Sequence, residues 1–512
     1  LTADMLVPSQ GGFAPAAQSP LRRTADNGTD RVGELRTSRA SSRIGNPPVY
    51  AIPAAAGASD TGFDSLNRKR RRPKPYPGTP KPKFVGPGNP AVPPPPPART
   101  TAPVAPAVAG TAAGQPPRRR LKVDDDPFGN VGFHTGSFLT KAAVEVGGGY
   151  DSNPGRLNTP KGSAFYKVSP ELQAVSDWSR HAVALDLRGS FTGYDRTFPS
   201  DTNFVSPVPT RIDRPDFTGK VDGRLDVTRD TRINSQLRLR VGTDNPGRPN
   251  IQVGLAKYPL FATIGATLGV EQDINRLQVS LSGTVDHTAY QNSELTDGTI
   301  ATNDERNFNQ YGGIARVSYD LMPGLKPFTE IEGDTRVHQT PFDRSGYARN
   351  STGGYAKAGT TFEFSRLLTG EIAAGYALRN YDDARLPQMK GLLTSASLVW
   401  TASGLTTVRV DATSSIETTL PGVSGALSRD YTLTVDHAFR RWLIGTAKVG
   451  YGTSDYEGAR FDKRYFAEAD LVYKLSRTFH IKASLRRDWL DSSITGASSA
   501  GTIVMLGVRV QR

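Results

Sequence analysis

Cysteine is absent from the 512 residues, which removes disulfides, thiol nucleophiles and cysteine-bound zinc or iron–sulfur centres. Histidine is scarce. His134, His181, His287, His338, His437 and His480 fall on different segments without ligand spacing, and each reads as an ordinary strand or loop residue. No G-x-S-x-G elbow, H-E-x-x-H pair, P-loop or EF-hand loop occurs. Gly86-Pro87-Gly88 lies in a proline-rich tract and follows no strand, so it makes no dinucleotide site. Long apolar runs are missing too: nothing approaches the roughly 18 residues of a membrane helix, which excludes a helical membrane protein. Hydrophobic content is 37% and mean hydropathy −0.43. A membrane barrel tolerates such values, because only alternate residues of each strand meet lipid.

Residues 1–130 have few aromatic or branched side chains and hold 23 of the 38 prolines, Pro93 to Pro97 among them. Such a segment cannot bury enough apolar surface to fold, so it reads as a disordered, basic, periplasmic stretch. Polyproline II spacers are expected around Lys74, Pro77, Lys81 and Lys83. Charge is concentrated here: 19 basic against 9 acidic residues supply +10 of the chain's +14. The clusters Arg68-Lys69-Arg70-Arg71-Arg72 and Arg118-Arg119-Arg120 suit peptidoglycan or other anionic envelope polymers as partners, or simply a solvated linker. Neither interleaved aromatics nor a folded nucleic-acid module accompanies them, so nucleic acid is not expected as a partner. No secretory signal is visible after Leu1, and a removed signal or an upstream start is expected.

Residues 131–512 are different in kind. Segments long enough for the roughly 9 to 11 residues of a tilted membrane strand alternate apolar with polar side chains. They parse into about eighteen strands, from Ala142–Tyr150 to Gly501–Val510. In the fourth, Phe217, Gly219, Val221, Gly223, Leu225 and Val227 fall on one face, with Lys220, Asp222, Arg224 and Asp226 on the other. Short turns, such as those at Arg229-Asp230-Thr231 and Arg440-Arg441, alternate with long loops at 196–215, 244–256, 292–307, 339–353 and 382–390. This is the pattern of a single transmembrane, antiparallel, up-and-down β-barrel in the outer membrane, with short turns in the periplasm and long loops outside. A soluble sandwich rarely keeps such loop alternation, and a propeller or β-helix would show a fixed repeat. Closure requires the first strand, around Val144 and Val146, to pair with the last, around Leu506 and Val508. Outer-membrane lipid and the barrel-assembly machinery are the implied partners.

Trp178, Tyr319, Phe364, Trp400, Phe439, Trp442 and Phe479 cluster near short turns, and Tyr194, Tyr290, Tyr381 and Trp489 near long loops, as two interfacial girdles. The polar faces supply the lumen. Strands three to five carry Asp186, Arg188, Lys220, Asp222, Arg224, Asp226, Arg232, Arg238 and Arg240. Strands nine to eleven carry Glu330, Glu332, Asp334, Lys357, Glu363 and Glu371. One wall reads as basic and the other as acidic, an arrangement that sets ion selectivity in wet pores; cross-strand pairing on a hydrated face is the alternative. From the hairpin at Asp230, Asp222 is expected opposite Arg238 or Arg240, leaving arginine in surplus.

Gly149-Tyr150-Asp151-Ser152-Asn153-Pro154, the following Phe165-Tyr166-Lys167-Val168-Ser169-Pro170-Glu171-Leu172 and the basic proline-rich stretch from Asn67 to Lys83 resemble the β-barrel porin type 2 family of the outer membrane. The resemblance covers roughly 131–512 and implies a barrel, some of whose relatives are associated with extracellular polysaccharide export. It carries no catalytic or binding residues. The last residue is Arg512, where barrel-assembly signals usually end in an aromatic. The function expected is a channel for hydrophilic solutes without enzymatic activity, cofactor or metal. A polysaccharide conduit and a structural barrel tethered by its tail are the alternatives, and a barrel lipase with Ser and His on its outer wall is the one catalytic reading weighed.

Overall fold

In a computed structural model, the structure describes residues 128–512, apart from 179, 199–206, 249–250, 366, 418–423 and 458 and the side chains of 364, 365 and 417. The reading of the segment before residue 128, and of Phe364 as a girdle residue, lies outside the described part. Eighteen long strands follow in order: β1 (Phe138–Asp151), β2 (Ser163–Ser176), β3 (Ala182–Tyr194), β4 (Arg214–Asp226), β5 (Thr231–Thr243) and β6 (Leu260–Ile274). Then come β7 (Leu277–Tyr290), β8 (Phe308–Tyr319), β9 (Leu325–His338), β10 (Ser351–Ser365), β11 (Leu368–Tyr381) and β12 (Met389–Ser403). The last six are β13 (Thr406–Glu417), β14 (Ala426–Arg440), β15 (Leu443–Asp455), β16 (Phe461–Lys474), β17 (Phe479–Ser492) and β18 (Ser499–Gln511). Each pairs antiparallel with its sequence neighbours, and β18 returns to β1, with Val144 opposite Val510 and Val146 opposite Val508. The sheet therefore has no free edge, which a structure immersed in hydrocarbon requires.

Side-chain alternation sorts the two faces. On β5 Leu237 is exposed while its neighbour Gln236 is buried; on β7 Leu281 is exposed while Ser280 and Ser282 are buried. Exposed Leu, Ile and Val side chains thus clothe the outside and charged ones the inside, the reverse of a soluble core. Short connections at 227–230, 275–276, 320–324, 404–405 and 441–442 lie at one end with both chain ends of the barrel, and longer loops at the other. Asn275 takes a left-handed conformation (φ 54°) that lets two residues join β6 to β7.

Trp178, Tyr319, Trp400, Phe439, Trp442 and Phe479 are exposed at the turn end, and Trp489 at the loop end. Tyr194, Tyr290 and Tyr381 do not join a loop-side girdle. They occupy inner positions of β3, β7 and β11, where Tyr290 is buried and Tyr194 and Tyr381 pack against buried apolar clusters. Tyr150, Tyr166, Tyr376 and Tyr465, at outer positions, are among the exposed aromatics near that rim.

Candidate functional site: the lumen wall and its loop plug

The inner wall is built from ion pairs that reach along and across strands. On β3–β5, Arg188 donates to Asp186 at 2.7 Å, Lys220 lies 3.4 Å from Asp222, Arg224 3.1 Å from Asp226 and Arg240 3.7 Å from Asp216. Arg238 reaches past β6 to Asp286 on β7 at 2.8 Å, through space left by Gly265. The register corrects the sequence expectation. Asp222 stands opposite Gln236, which donates to it at 2.8 Å, while Arg238 is opposite Lys220 and Arg240 opposite Thr218. The hairpin, joined by 227–230, is centred at Arg229, one residue before Asp230, so pairing slips by two residues without changing faces. The arginine surplus of β4–β5 is met by acids on the next strands: Glu271 at 2.6 Å from Arg232, and Asp286.

The wall at β9–β11 is not acidic in net effect. Arg316 on β8 bridges Glu330 (3.3 Å) and Glu371 (2.8 Å), Lys357 meets Glu330 at 3.0 Å, and Arg379 meets Asp334 at 2.5 Å. The Tyr355 hydroxyl donates to Glu330 at 2.7 Å, and the Arg316 guanidinium lies 3.5 Å from the centre of the Phe328 ring. Glu332 and Glu363 occupy the same inner face. Arg316, Arg336 and Arg379, which sequence reasoning left out of the wall, are the cations that balance it. They share the inner parity of their strands and were legible by counting in twos.

The loop end is closed over from one side. Loop 1 (152–162), loop 2 (195–213) and loop 3 (244–259) bring Leu157, Phe198, Val208, Ile212, Ile251, Leu255 and Tyr258 together in a buried apolar cluster of their own. This is a small core inside the mouth, and it holds the loops inward by the ordinary burial of apolar area. Loop 3 then crosses the lumen: Arg460, between β15 and β16 on the opposite side, donates to the Gly247 carbonyl at 3.1 Å. Gly247 takes a left-handed conformation (φ 78°) at the tip and packs near Leu490 of β17. At its root, Asp244 pairs with Arg306 at 3.0 Å, whose guanidinium lies 3.9 Å from the centre of the Tyr290 ring.

The Gly-Tyr-Asp-Ser-Asn-Pro stretch explains itself here. Asn153 accepts from the Leu157 amide (3.0 Å) and donates to the carbonyls of Leu157 (2.7 Å) and Ala500 (2.9 Å), folding loop 1 against β18. Arg156 is thereby buried between Asp151 (2.9 Å) and Asp488 of β17 (3.1 Å). Burial works against its charge, but Asp151 and Asp488 outweigh that cost and raise its pKa. Gly501 makes the room: a side chain there would run into the Arg156 guanidinium. Among the described residues no group of three or more His, Asp or Glu side chains is arranged to hold a metal.

A closed antiparallel barrel, apolar outside and charged inside, with loops folded over one mouth, defines a transmembrane β-barrel of the porin class. The family model described as "Putative beta-barrel porin 2" matches residues 126–512, and the chain belongs to that family. Similar solved structures include OccAB4 of Acinetobacter baumannii, at 10% identity over 74% of this chain and 99% of that one, TM-score 0.37. OpdK of Pseudomonas aeruginosa with vanillate is similar at 12% identity over 73% and 99%, TM-score 0.35. A BenF-like porin from Pseudomonas fluorescens Pf-5 is similar at 10% identity over 73% and 99%, TM-score 0.37. At those scores the likeness carries no argument about bore or solute. No curated protein matches the sequence.

Proposed function

We propose that the chain is an outer-membrane channel passing small hydrophilic solutes through a charged, water-filled lumen that loop 3 narrows at its outer mouth. The observation that carries this reading is the β3–β5 wall, whose ion pairs stand in water beside the loop bridge: Arg188 is 46% and Lys220 31% exposed. Charges held in a wet passage stabilise a solute's own charge or dipole as it sheds part of its hydration. Reconstitution into planar bilayers tests the proposal: stepwise conductance is expected, and its absence at every applied voltage would leave a structural envelope barrel. The family match and the described wall add no support for polysaccharide export.

A further inference from the structure

The barrel wall is laced by backbone hydrogen bonds nearly throughout, with one long exception. Strand β12 pairs with β11 from Met389 to Trp400, and β13 pairs with β14 from Thr406 to Glu417. Between β12 and β13, however, the ladder runs only from Ala396 opposite Ala412 to the turn. Among the described residues, the loop-side stretch Gly391–Ser395 has no ladder partner on that side. Two shorter gaps among the described residues, at Ser169–Pro170 of β2 and at Arg214–Asp216 of β4, each hold a proline to explain them, since proline lacks the N–H a ladder needs. No proline occurs in 389–395 or 413–417.

Side chains close the seam instead. The Thr394 amide donates to Ser414 Oγ (2.9 Å), and Ser414 Oγ is 3.0 Å from the Thr394 carbonyl it bonds. The Thr394 hydroxyl also lies within hydrogen-bond distance of the Ser414 and Tyr431 hydroxyls, at 3.0 and 3.1 Å. Arg429 of β14 reaches over to the Leu392 carbonyl at 3.2 Å. Leu427, two strands away, fills the gap so closely that any side chain at Gly391 would collide with it. Tyr355, Ala377, Met389 and Leu393, on the lumen face of β10–β12, form an apolar patch with Ile416 and Leu427, which have the outward parity of β13 and β14 and tuck in behind the seam. A cavity of about 30 Å³ lies between patch and seam, bordered by Lys357, Thr394 and Ser414. That is room for a single water, so the seam is shut in this structure.

In hydrocarbon each backbone group without a partner is costly, so a strand pair held by side chains is the place where this wall parts most readily. Side chains swing aside by rotamer changes, whereas a ladder parts only by losing many bonds together. We propose that the loop-side half of the β12–β13 seam is a lateral portal between lumen and bilayer. The class of molecule it fits is an amphiphile with an aliphatic chain: the chain enters between Thr394 and Ser414 onto the apolar patch, and the polar head stays among the lumen charges near Lys357.

The test uses the full chain, which has no cysteine of its own, in vesicles of phospholipid. A photoreactive benzophenone side chain at Leu393, on the lumen face, is expected to form adducts with lipid acyl chains, detected by mass. The same group at Gln236, on the lumen face of β5 where the ladder is unbroken, is expected to form none, and at the lipid-facing Leu392 it serves as positive control. Closing the seam with Thr394→Cys and Ser414→Cys, oxidised, should cut the Leu393 adduct at least tenfold, and reduction should restore it. Absence of the adduct at Leu393 while Leu392 reacts overturns the portal, whether or not the cysteine pair forms; so does an adduct undiminished by the closed disulfide. This inference rests on a lumen that is accessible. Conductance recorded with the same preparations separates the failures: adducts without conductance sink the channel reading and keep the portal, and conductance without adducts does the opposite.

Discussion

On β3–β5 the inner ion pairs meet water: Arg188 is 46% exposed, Lys220 31% and Arg240 25%. On β9–β11 they do not: Arg379 and Asp334 are wholly buried, and Glu330 is 2% exposed. Both sectors pair nearly every charge, so they differ in dielectric surroundings and not in sign. Aromatic rings make part of that difference. Phe328 covers Arg316 and Tyr355 covers Lys357 on the dry wall. One wall holds its ion pairs in contact with water and the other holds them away from it.

The largest effect should come from breaking the dry wall. Asp334→Ala leaves Arg379 buried beside a lost partner, and stability should fall by about 3–5 kcal/mol. Asp186→Ala beside the wet Arg188 should cost no more than about 1 kcal/mol. Denaturant unfolding in detergent, with heat-modifiable mobility as a second probe, compares the two. Equal losses would erase the distinction between the walls.

The bridge between the halves comes next. Arg460→Ser removes the donor that holds Gly247 across the lumen, and shortening loop 3 at 245–248 removes the tip itself. Single-channel conductance should rise in both variants, more in the second. A truncated loop 3 with unchanged conductance would mean that the current does not pass beneath it.

Selectivity sharpens the comparison further. Replacing Arg188, Lys220 and Arg240 with serine should shift the reversal potential towards cations at about 0.1 M salt, where screening acts over roughly 10 Å, and much less at 1 M, where it acts over about 3 Å. The same exchange at Arg316 should disturb folding before it moves selectivity. An unchanged potential at low salt in the first variant would show that these side chains lie off the conducting path.

The smallest effect concerns loop 5 (339–350), above the dry wall. Burial pushes the Asp343 carboxyl up, but hydrogen bonds from the Tyr347 amide and Arg349 outweigh it and hold the pKa below the ordinary value. Its contribution is therefore full above the unfolded carboxyl value of about 3.9 and lost as pH falls through the lower folded value. Amide exchange at Tyr347, corrected for intrinsic rates, should quicken in that acid range, and Asp343→Asn should remove the dependence. An amide equally protected across the range would refute it.

The period-two pattern by itself determined the fold class, the strand count, the alternation of turns and loops and the face on which Arg188, Lys220, Glu330 and Glu371 lie. These are local properties: a strand's own residues decide which side meets lipid, and a slip by two preserves the answer. For the same reason the sequence placed Asp222 on the right face and opposite the wrong partner, and it assigned Tyr194, Tyr290 and Tyr381 by nearness to loops when their parity pointed inward. Only the tertiary structure decided how wet each wall is, because exposure depends on rings and loops brought in from other strands. It also decided that loop 3 spans the mouth, since Gly247 and Arg460 are joined across 213 positions, and that β12 and β13 part at Thr394 and Ser414. Contacts of that range are set by closure of the whole ring, to which no single segment's pattern is sensitive.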